Sequence, residues 1–122
     1  MNGPIAQLPN VQQLIGEIDL ELMKARFVIY GAASSYDNEA TRHLLTNEVS
    51  VAKHIVTNSA ITIVDKAMRL VGAKSLQRTN PLQRYYRDVR AGLHNPPMDD
   101  MTIKKLALTA LEEYKNINNK DK

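Results

Sequence analysis

The chain has 122 residues, 43% of them hydrophobic and 24% charged, which fits one soluble globular domain. It contains no cysteine, which excludes disulfides, a thiolate nucleophile and cysteine-ligated metal sites, and is compatible with the cytoplasmic location that we expect. No apolar run reaches the roughly 18 residues of a membrane span, and the first residues have neither the basic start nor the apolar core of a signal peptide, so we expect neither feature.

The positive charge of the chain is concentrated in one segment. The formal net charge is +3, yet residues 69–90 carry +5 and the remainder carries −2. A basic segment on an otherwise slightly acidic domain favours a surface that faces phosphates or acidic protein groups, rather than a general nucleic-acid binder. Residues 69–90 are therefore the first place where a functional surface is expected.

The first long segment carries apolar or small residues in alternating steps of four and three, which is the spacing of a helical core stripe. Asn10 directly precedes this stripe and is a suitable N-cap. The pattern predicts a helix over residues 10–37. The stripe consists of Val11, Ile15, Ile18, Leu22, Ala25, Ile29, Ala32 and Tyr36.

A second stripe runs from Leu45 to Leu70 and stops at Gly72, as expected of a glycine at a helix C-terminus. The connection between the two segments is short, which predicts two long antiparallel helices. Small residues in both stripes would let these helices approach closely. They are Ala25, Ala32, Ala52 and Ser59.

A short third helix is predicted over residues 81–91, because Asn80 supplies a cap and Pro81 suits the first helical turn. A turn must follow this helix. Gly92 loosens the chain there, and the two consecutive prolines at 96–97 exclude a helix across them.

A last helix is predicted to begin at Asp99 or Asp100, either of which is a suitable cap. No segment shows a sustained alternation of apolar and polar residues, so the fold class is all-α: an up-and-down helical bundle with two long helices, one short helix and one terminal helix. We predict one domain over residues 1–122, with disordered tails at 1–9 and 116–122. The inward face of the last helix is predicted to consist of Ile103, Leu106, Ala110 and Tyr114.

Few residues fall in a pattern that carries chemistry. The sequence has no glycine-rich phosphate loop and no nucleophile positioned beside a histidine. His43 and His54 are eleven residues apart, roughly 16 Å along a helix, so they cannot share a metal, and we predict no metal site. His94 differs, because it lies in a Gly- and Pro-bounded turn after the basic helix. It either packs that turn or serves as a ligand or catalytic contact.

Three arginines, Arg84, Arg87 and Arg90, recur every three residues and line one side of the predicted short helix. Arg84 and Asp88 have the i,i+4 spacing of an ion pair. Such a set is usually a solvated face or a face of interhelical salt bridges. It would also suit a helical module that binds acidic protein, but with only two tyrosines beside the arginines we expect no nucleic-acid partner.

Residues 71–90 resemble the C-terminal helical domain of the acyl-CoA dehydrogenases. In that family a long helix that carries a Gln ends in Gly-Gly, a short loop follows, and a Pro opens a helix that contains Arg-Asp. The preceding long helix is similar as well, so the resemblance covers about residues 10–115. The residues that match this pattern at the family spacing, without gaps, are Gly72, Pro81, Arg87 and Asp88.

This resemblance implies a fold, a cofactor and an activity. The family is a homotetrameric flavoprotein with an N-terminal helical domain, a middle β-domain and a C-terminal four-helix bundle, and this chain resembles most of the bundle. The whole enzyme would oxidise an acyl-CoA thioester in fatty acid metabolism, by proton abstraction and hydride transfer to FAD, while this chain alone would be inactive. The resemblance implies that the FAD of a neighbouring subunit is approached by Arg69, Leu70, Val71, Gly72 and Ala73.

The sequence departs from the family pattern at three positions. Arg69 stands where the family commonly has Gln, and Ala73 replaces the second glycine. The commonest catalytic base is a Glu nine residues after the Arg of Arg-Asp, and here that position is Pro96, which cannot abstract a proton. Two interpretations follow. Either the base lies on an earlier helix of the bundle, or the chain is similar to flavin-dependent monooxygenases of the same fold, several of which have a histidine where this sequence has His94.

Overall fold

The computed structural model describes residues 4–120, and every regular element in that range is helical. The α-helices are α1 (Pro9–Asp37), α2 (Glu39–Arg42), α3 (Glu48–Val71), α4 (Pro81–Arg90) and α5 (Asp99–Lys120), and single 3₁₀ turns lie at Pro4–Gln7, Gly72–Leu76 and Ala91–His94. The predicted all-α bundle of two long helices, one short helix and one terminal helix is confirmed. The short α2 is one additional turn of helix in the connection between the long helices.

The two long helices pack against each other in antiparallel directions. Near the start of α1, the Glu17 carboxylate lies 2.5 Å from the Lys66 ammonium near the end of α3. Near the end of α1, Ala32 shares a groove with Ala52 near the start of α3. Ala52 and Ser59 are 8% and 2% exposed, and Ala25 and Ala32 are half-buried, as expected of small residues where two helices pack.

The helix ends follow local chemistry, with one correction. Asn10 is not the N-cap of α1, because the helix begins at Pro9, which needs no hydrogen-bond acceptor in the first turn, and Leu8 occupies the cap position without a side-chain bond. Asn80 caps α4 as predicted, accepting a hydrogen bond from the Leu82 amide at 3.0 Å. Gly72 ends α3 with φ 82, a conformation that favours glycine.

The prediction for α5 is wrong in two respects. Asp99 and Asp100 lie in its first turn rather than at the cap. All four residues predicted to face inward, Ile103, Leu106, Ala110 and Tyr114, are exposed, Ile103 and Tyr114 to 58% and 65%. The reason is that α5 packs on α3 by one face and no other described helix covers its remaining faces. The buried residue of α5 is Thr102.

The helix α5 extends to Lys120, where the sequence predicts a tail from residue 116. At the other end, a 3₁₀ turn occupies Pro4–Gln7 within the tail predicted at 1–9. Residues 1–3 and 121–122 lie outside the described residues. Disorder of the tails and the single-domain division remain predictions.

Two apolar surfaces are left open by the described chain. The first, which we call the outer stripe of α1, has the 3-4-3 spacing of a helix-packing seam and consists of Leu20, Met23, Phe27 and Tyr30, which are 47–75% exposed. The second, the apolar face of α5, includes Ile103, Leu108, Leu111 and Ile117. Exposed apolar surface of this extent is typical of a protein that packs against something else. None of the described helices is long and apolar enough to cross a membrane.

Candidate functional site

The segment with the predicted FAD contacts, residues 69–73, lies at the C-terminal end of α3; we call it the Gly72 segment. The Gly72 amide donates to the Met68 carbonyl, and the left-handed backbone at Gly72 then redirects the chain into a 3₁₀ turn. A methyl group built at position 72 would meet nothing within 4 Å. Glycine is therefore required here by the backbone conformation, and its surface is open to an approaching group.

The side chains of the Gly72 segment are mostly accessible. Arg69 is exposed, and its Nε donates to the Asp65 carboxylate at 3.0 Å, an i,i+4 pair on the surface of α3. Val71 and Ala73 are exposed, whereas Leu70 is half-buried. Lys74 follows as a second exposed basic residue. An open turn of backbone flanked by a guanidinium and an ammonium is chemically suited to a phosphate-bearing ligand.

The second candidate region is the His94 turn, residues 92–97. His94 ends a 3₁₀ turn and its side chain is exposed, and the Pro96–Pro97 bond is cis. The Lys53 ammonium, on α3, donates hydrogen bonds to the carbonyls of Gly92 at 2.7 Å, Asn95 at 2.8 Å and Pro97 at 2.9 Å. The predicted turn is confirmed, and it is attached to α3 on both sides of His94.

Two further residues of α3 hold the residue that follows this turn. The Asn58 amide donates to one carboxylate oxygen of Asp99 at 3.0 Å, and the His54 Nδ1 lies 3.0 Å from the other. The Asn58 hydrogen bond is the main cause that lowers the pKa of Asp99, and His54 adds to it, against the opposing effect of burial. Asp99 therefore anchors the start of α5 to α3 instead of capping α5.

The turn also packs tightly against α3. A methyl group built on Gly92 would lie 2.9 Å from Cγ2 of Thr57, closer than carbon atoms approach without displacement. The absence of a side chain at Gly92 thus lets the turn rest directly on α3.

Sequence reasoning missed the α3 residues that hold this turn. A signal was available in the spacing, because they occupy one face of a helix at positions i, i+1, i+4 and i+5 and are all polar inside a bundle. They are Lys53, His54, Thr57 and Asn58. Among the described residues, no group of three His, Asp or Glu could hold a metal ion.

The structure does not bring the two candidate regions together. Lys53, which holds the His94 turn, is sixteen residues before Arg69 on the same helix, about 24 Å along a straight helix axis. The Gly72 segment and the His94 turn are therefore separate surfaces of this chain.

Two arginines of α4 interact with neighbouring rings, and the third, Arg87, donates to the backbone carbonyl and the side-chain oxygen of Gln83. The guanidinium of Arg84 lies 5.7 Å from the ring of Tyr85, and that of Arg90 lies 5.5 Å from the ring of Tyr86. Within the part of the chain that the structure describes, no ion pair joins Arg84 to Asp88, although their i,i+4 spacing would allow one. The face is solvated, which is one of the two arrangements predicted from its spacing.

Comparison with known proteins gives consistent results. Residues 1–93 match the model of the family "Acyl-CoA dehydrogenase, C-terminal domain". The chain is 63% identical over 112 residues to "Putative acyl-CoA dehydrogenase YdbM" of Bacillus subtilis (strain 168), a match that covers 92% of this chain and 29% of that protein.

The fold agrees with this relationship. The crystal structure of an acyl-CoA dehydrogenase from Slackia heliotrinireducens DSM 20476 superposes with a TM-score of 0.80 at 27% identity, covering 91% of this chain and 29% of that one. The chain thus spans less than a third of the length of either relative. The motif of Gly72, Pro81 and Arg87-Asp88, the helical fold and these matches together show that the chain belongs to the acyl-CoA dehydrogenase C-terminal domain family.

Proposed function

We propose that this chain serves as the C-terminal bundle of an FAD-dependent oxidoreductase that oxidises an acyl-CoA thioester at its α and β carbons. The observation that carries the proposal is the open, left-handed Gly72 turn at the end of α3, flanked by exposed basic side chains, in a chain of this family. When bound, FAD supplies the acceptor for the hydride. This chain would bind and orient the flavin rather than supply the catalytic base, because it has no Glu at the usual position of that base.

The Gly72 segment is proposed to contact the FAD of a neighbouring subunit. Its residues fit a flavin dinucleotide, because the Arg69 guanidinium is exposed and the backbone at Gly72 is unobstructed. The separation of about 24 Å along α3 supports a different target for the His94 turn, since both regions cannot contact the reacting atoms of one flavin. The contacting residues would be Arg69, Leu70, Val71, Gly72 and Ala73.

The second proposed contribution is packing in a homo-oligomer, a tetramer in the family. The outer stripe of α1 and the apolar face of α5 are both open in the described chain. Between α1, α3 and α5 there is also a groove of about 720 Å³, with Leu44 and Leu106 among its lining residues. A further helix from upstream of this chain, together with a second subunit, would cover these surfaces and remove their apolar area from water.

An alternative function is specifically favoured by the His94 turn. Pro96 stands where the family has its commonest base, while His94 is exposed in a turn that is held firmly on α3. This arrangement suits a flavin-dependent monooxygenase of the same fold, in which a histidine assists at the flavin or the substrate rather than abstracting an α-proton. A helical module that binds acidic protein through α4 is the alternative without enzymatic activity.

The experiment that separates these functions uses the full-length protein, with its upstream domains, as wild type, His94→Ala and His43→Ala. His43 is an exposed histidine outside both candidate regions, so it provides a matched control. Dehydrogenase function predicts that bound flavin bleaches when acyl-CoA is added under anaerobic conditions, with little effect of His94→Ala.

The other functions predict different results. Monooxygenase function predicts no bleaching by acyl-CoA, and a hydroxylation that needs reduced flavin and oxygen and that falls at least about 100-fold in His94→Ala. Absence of FAD binding in the full-length protein would contradict both enzymatic functions and leave the interaction module.

A further inference from the structure

We propose that Lys53 is a positioning residue that fixes the His94 turn, and with it the place of the His94 imidazole. The proposal rests on the role that the alternative, monooxygenase function gives to His94, but it concerns an attachment that is visible in this chain. One ammonium group bonds the carbonyls of Gly92, Asn95 and Pro97, at 2.7, 2.8 and 2.9 Å. Because these carbonyls lie on both sides of His94, the backbone that carries the imidazole is held from both directions.

The chemistry of lysine suits this attachment. A lysine ammonium has three N–H donors, and here three carbonyl oxygens accept from it, so its hydrogen-bonding capacity is filled. The Gly92 carbonyl lies within the 3₁₀ turn and also accepts from the Asn95 amide at 3.4 Å, whereas the Asn95 and Pro97 carbonyls follow that turn. Lys53 thus supplies, from α3, one donor to each of three carbonyls in and just after the 3₁₀ turn.

The surroundings of Lys53 support positioning rather than ion pairing. Within the described residues no carboxylate lies within ion-pair distance of its ammonium, although Asp99 is near enough to feel its charge. The contact of Gly92 with Thr57 limits how the turn can shift on α3. Three hydrogen bonds and the contact at Gly92 thus restrain the turn on α3, and removal of the ammonium would remove all three bonds.

The test compares three variants of the full-length, FAD-loaded protein: Lys53→Met, Lys53→Arg and Lys66→Met. Methionine keeps the length and apolar stem of lysine but has no donor. Lys66 is on the same helix and is also half-buried, but its partner is Glu17 on α1, so Lys66→Met is the matched control. The Arg variant keeps the charge, yet its planar donors diverge and cannot meet three converging carbonyls equally well.

The first measurement is hydrogen exchange, which does not depend on activity. Exchange is followed at the amides of His94, Asn95 and Met98, because the two prolines between them have no N–H. We expect about tenfold faster exchange in Lys53→Met, an intermediate rate in Lys53→Arg and an unchanged rate in Lys66→Met. Wild-type exchange in a folded Lys53→Met protein would overturn the proposal, and should that variant not fold, wild-type exchange in Lys53→Arg would do so.

The second measurement is a double-mutant cycle with His94→Ala. It follows the hydroxylation that needs reduced flavin and oxygen, as turnover per bound flavin, so that differences in stability do not enter. If Lys53 acts through His94, Lys53→Met lowers turnover about tenfold in the wild-type background but less than twofold in His94→Ala. Equal losses in both backgrounds would refute positioning through His94. If His94→Ala alone leaves turnover unchanged, the proposed role of His94 fails, and the exchange rates decide separately whether Lys53 fixes the turn.

Discussion

The His94 turn and the helix that follows it both pack on α3, yet they are held there in different ways. The turn is attached by polar atoms, because the Lys53 ammonium bonds three of its carbonyls. The first residue of α5, Asp99, is attached in the same polar way, through Asn58 and His54 of α3. Beyond its first residue, α5 is held by the buried Thr102 and by a hydrogen bond at 3.1 Å from the amide of Asn47, the residue before α3, to Thr109 Oγ1. Most of its large apolar side chains are exposed.

The contacts of the turn are therefore made within this chain, whereas the apolar face of α5 has no partner surface in the described chain. Directional bonds fix the turn, because each requires a particular donor and acceptor in one geometry. The apolar residues of α5 gain free energy only when some surface covers them, and the described chain provides none. The turn therefore has the properties of a preformed site, and α5 has those of an interface.

The largest expected effect concerns the apolar face of α5. We expect the 122-residue chain to self-associate with increasing concentration. The double variant Leu108→Glu, Leu111→Glu should weaken this association at least about tenfold, because both leucines are exposed in the single chain and would be buried in the associated state. Sedimentation velocity over a concentration series measures the effect. The control is Asn116→Glu with Asn118→Glu, an equal change of charge on exposed positions of the same helix. A wild-type chain that stays monomeric at all concentrations would show that α5 is no interface.

A second prediction tests how tightly the turn rests on α3. Gly92→Ala places a methyl group against Thr57 Cγ2, and we expect a loss of about 1–3 kcal/mol in the free energy of unfolding. Thr57→Ser removes that carbon, so the double variant should recover at least half of the loss. Urea unfolding measures both. In Gly31→Ala, where nothing lies within 4 Å of the added methyl, no loss is expected, and equal losses at both glycines would contradict close packing of the turn.

The fold was largely predictable from the sequence because local signals determine where its helices begin and end. The alternating stripes indicated α1 and α3. Gly72 correctly indicated the C-terminus of α3, and Asn80 with Pro81 the N-terminus of α4. The orientation of α5 was not predictable in the same way. Its apolar stripe indicates a covered face, but a periodicity does not reveal whether the cover belongs to the same chain.

The candidate site was predictable only in part. Local sequence signals drew attention to Gly72 and to His94, because Gly72 ends a helical stripe and His94 lies in a turn between Gly92 and two prolines. The role of Lys53 could not be read from its neighbours, since its three partners are backbone carbonyls 39, 42 and 44 residues away, and a carbonyl has no sequence signature. The contact of Asp99 with His54 and Asn58 depends in the same way on how the turn folds back.

A third prediction concerns how weakly α5 is attached. Thr109→Val removes the acceptor of the Asn47 amide and leaves that buried group unpaired, so we expect a loss of about 1 kcal/mol in the free energy of unfolding. Amide exchange along α5 should accelerate while α3 stays protected. Thr79→Val, at an exposed loop hydroxyl, is the control. Uniform acceleration over both helices would mean that α5 and α3 open as one unit.

The smallest expected effect is a dependence on pH of the polar contacts that attach Asp99, at the start of α5, to α3. The Asn58 hydrogen bond, with His54, lowers the pKa of Asp99 below its ordinary value of 3.8, so the folded chain binds this proton less readily than the unfolded chain does. The stabilisation is therefore fully present above that ordinary value and is lost as the pH falls through the lower pKa of the folded state. Asp99→Asn should cost less than about 1 kcal/mol at pH 7, because the carboxylate is partly exposed, and should cost less still at pH 3.

The measurement is the difference in urea midpoint between Asp99→Asn and wild type at the two pH values. A difference is needed because hydrogen bonds also lower the pKa of Glu17, Glu21 and Glu48. These carboxylates make both proteins less stable at low pH, and their effect cancels in the difference. Asp100→Asn is the control, since Asp100 is exposed and, among the described residues, its carboxylate accepts from the adjacent amide of Met101 and makes no contact with α3. A difference that stays constant with pH would mean that Asp99 holds α5 by its shape and not by its charge, and the start of α5 would then resemble the rest of that helix rather than the turn before it.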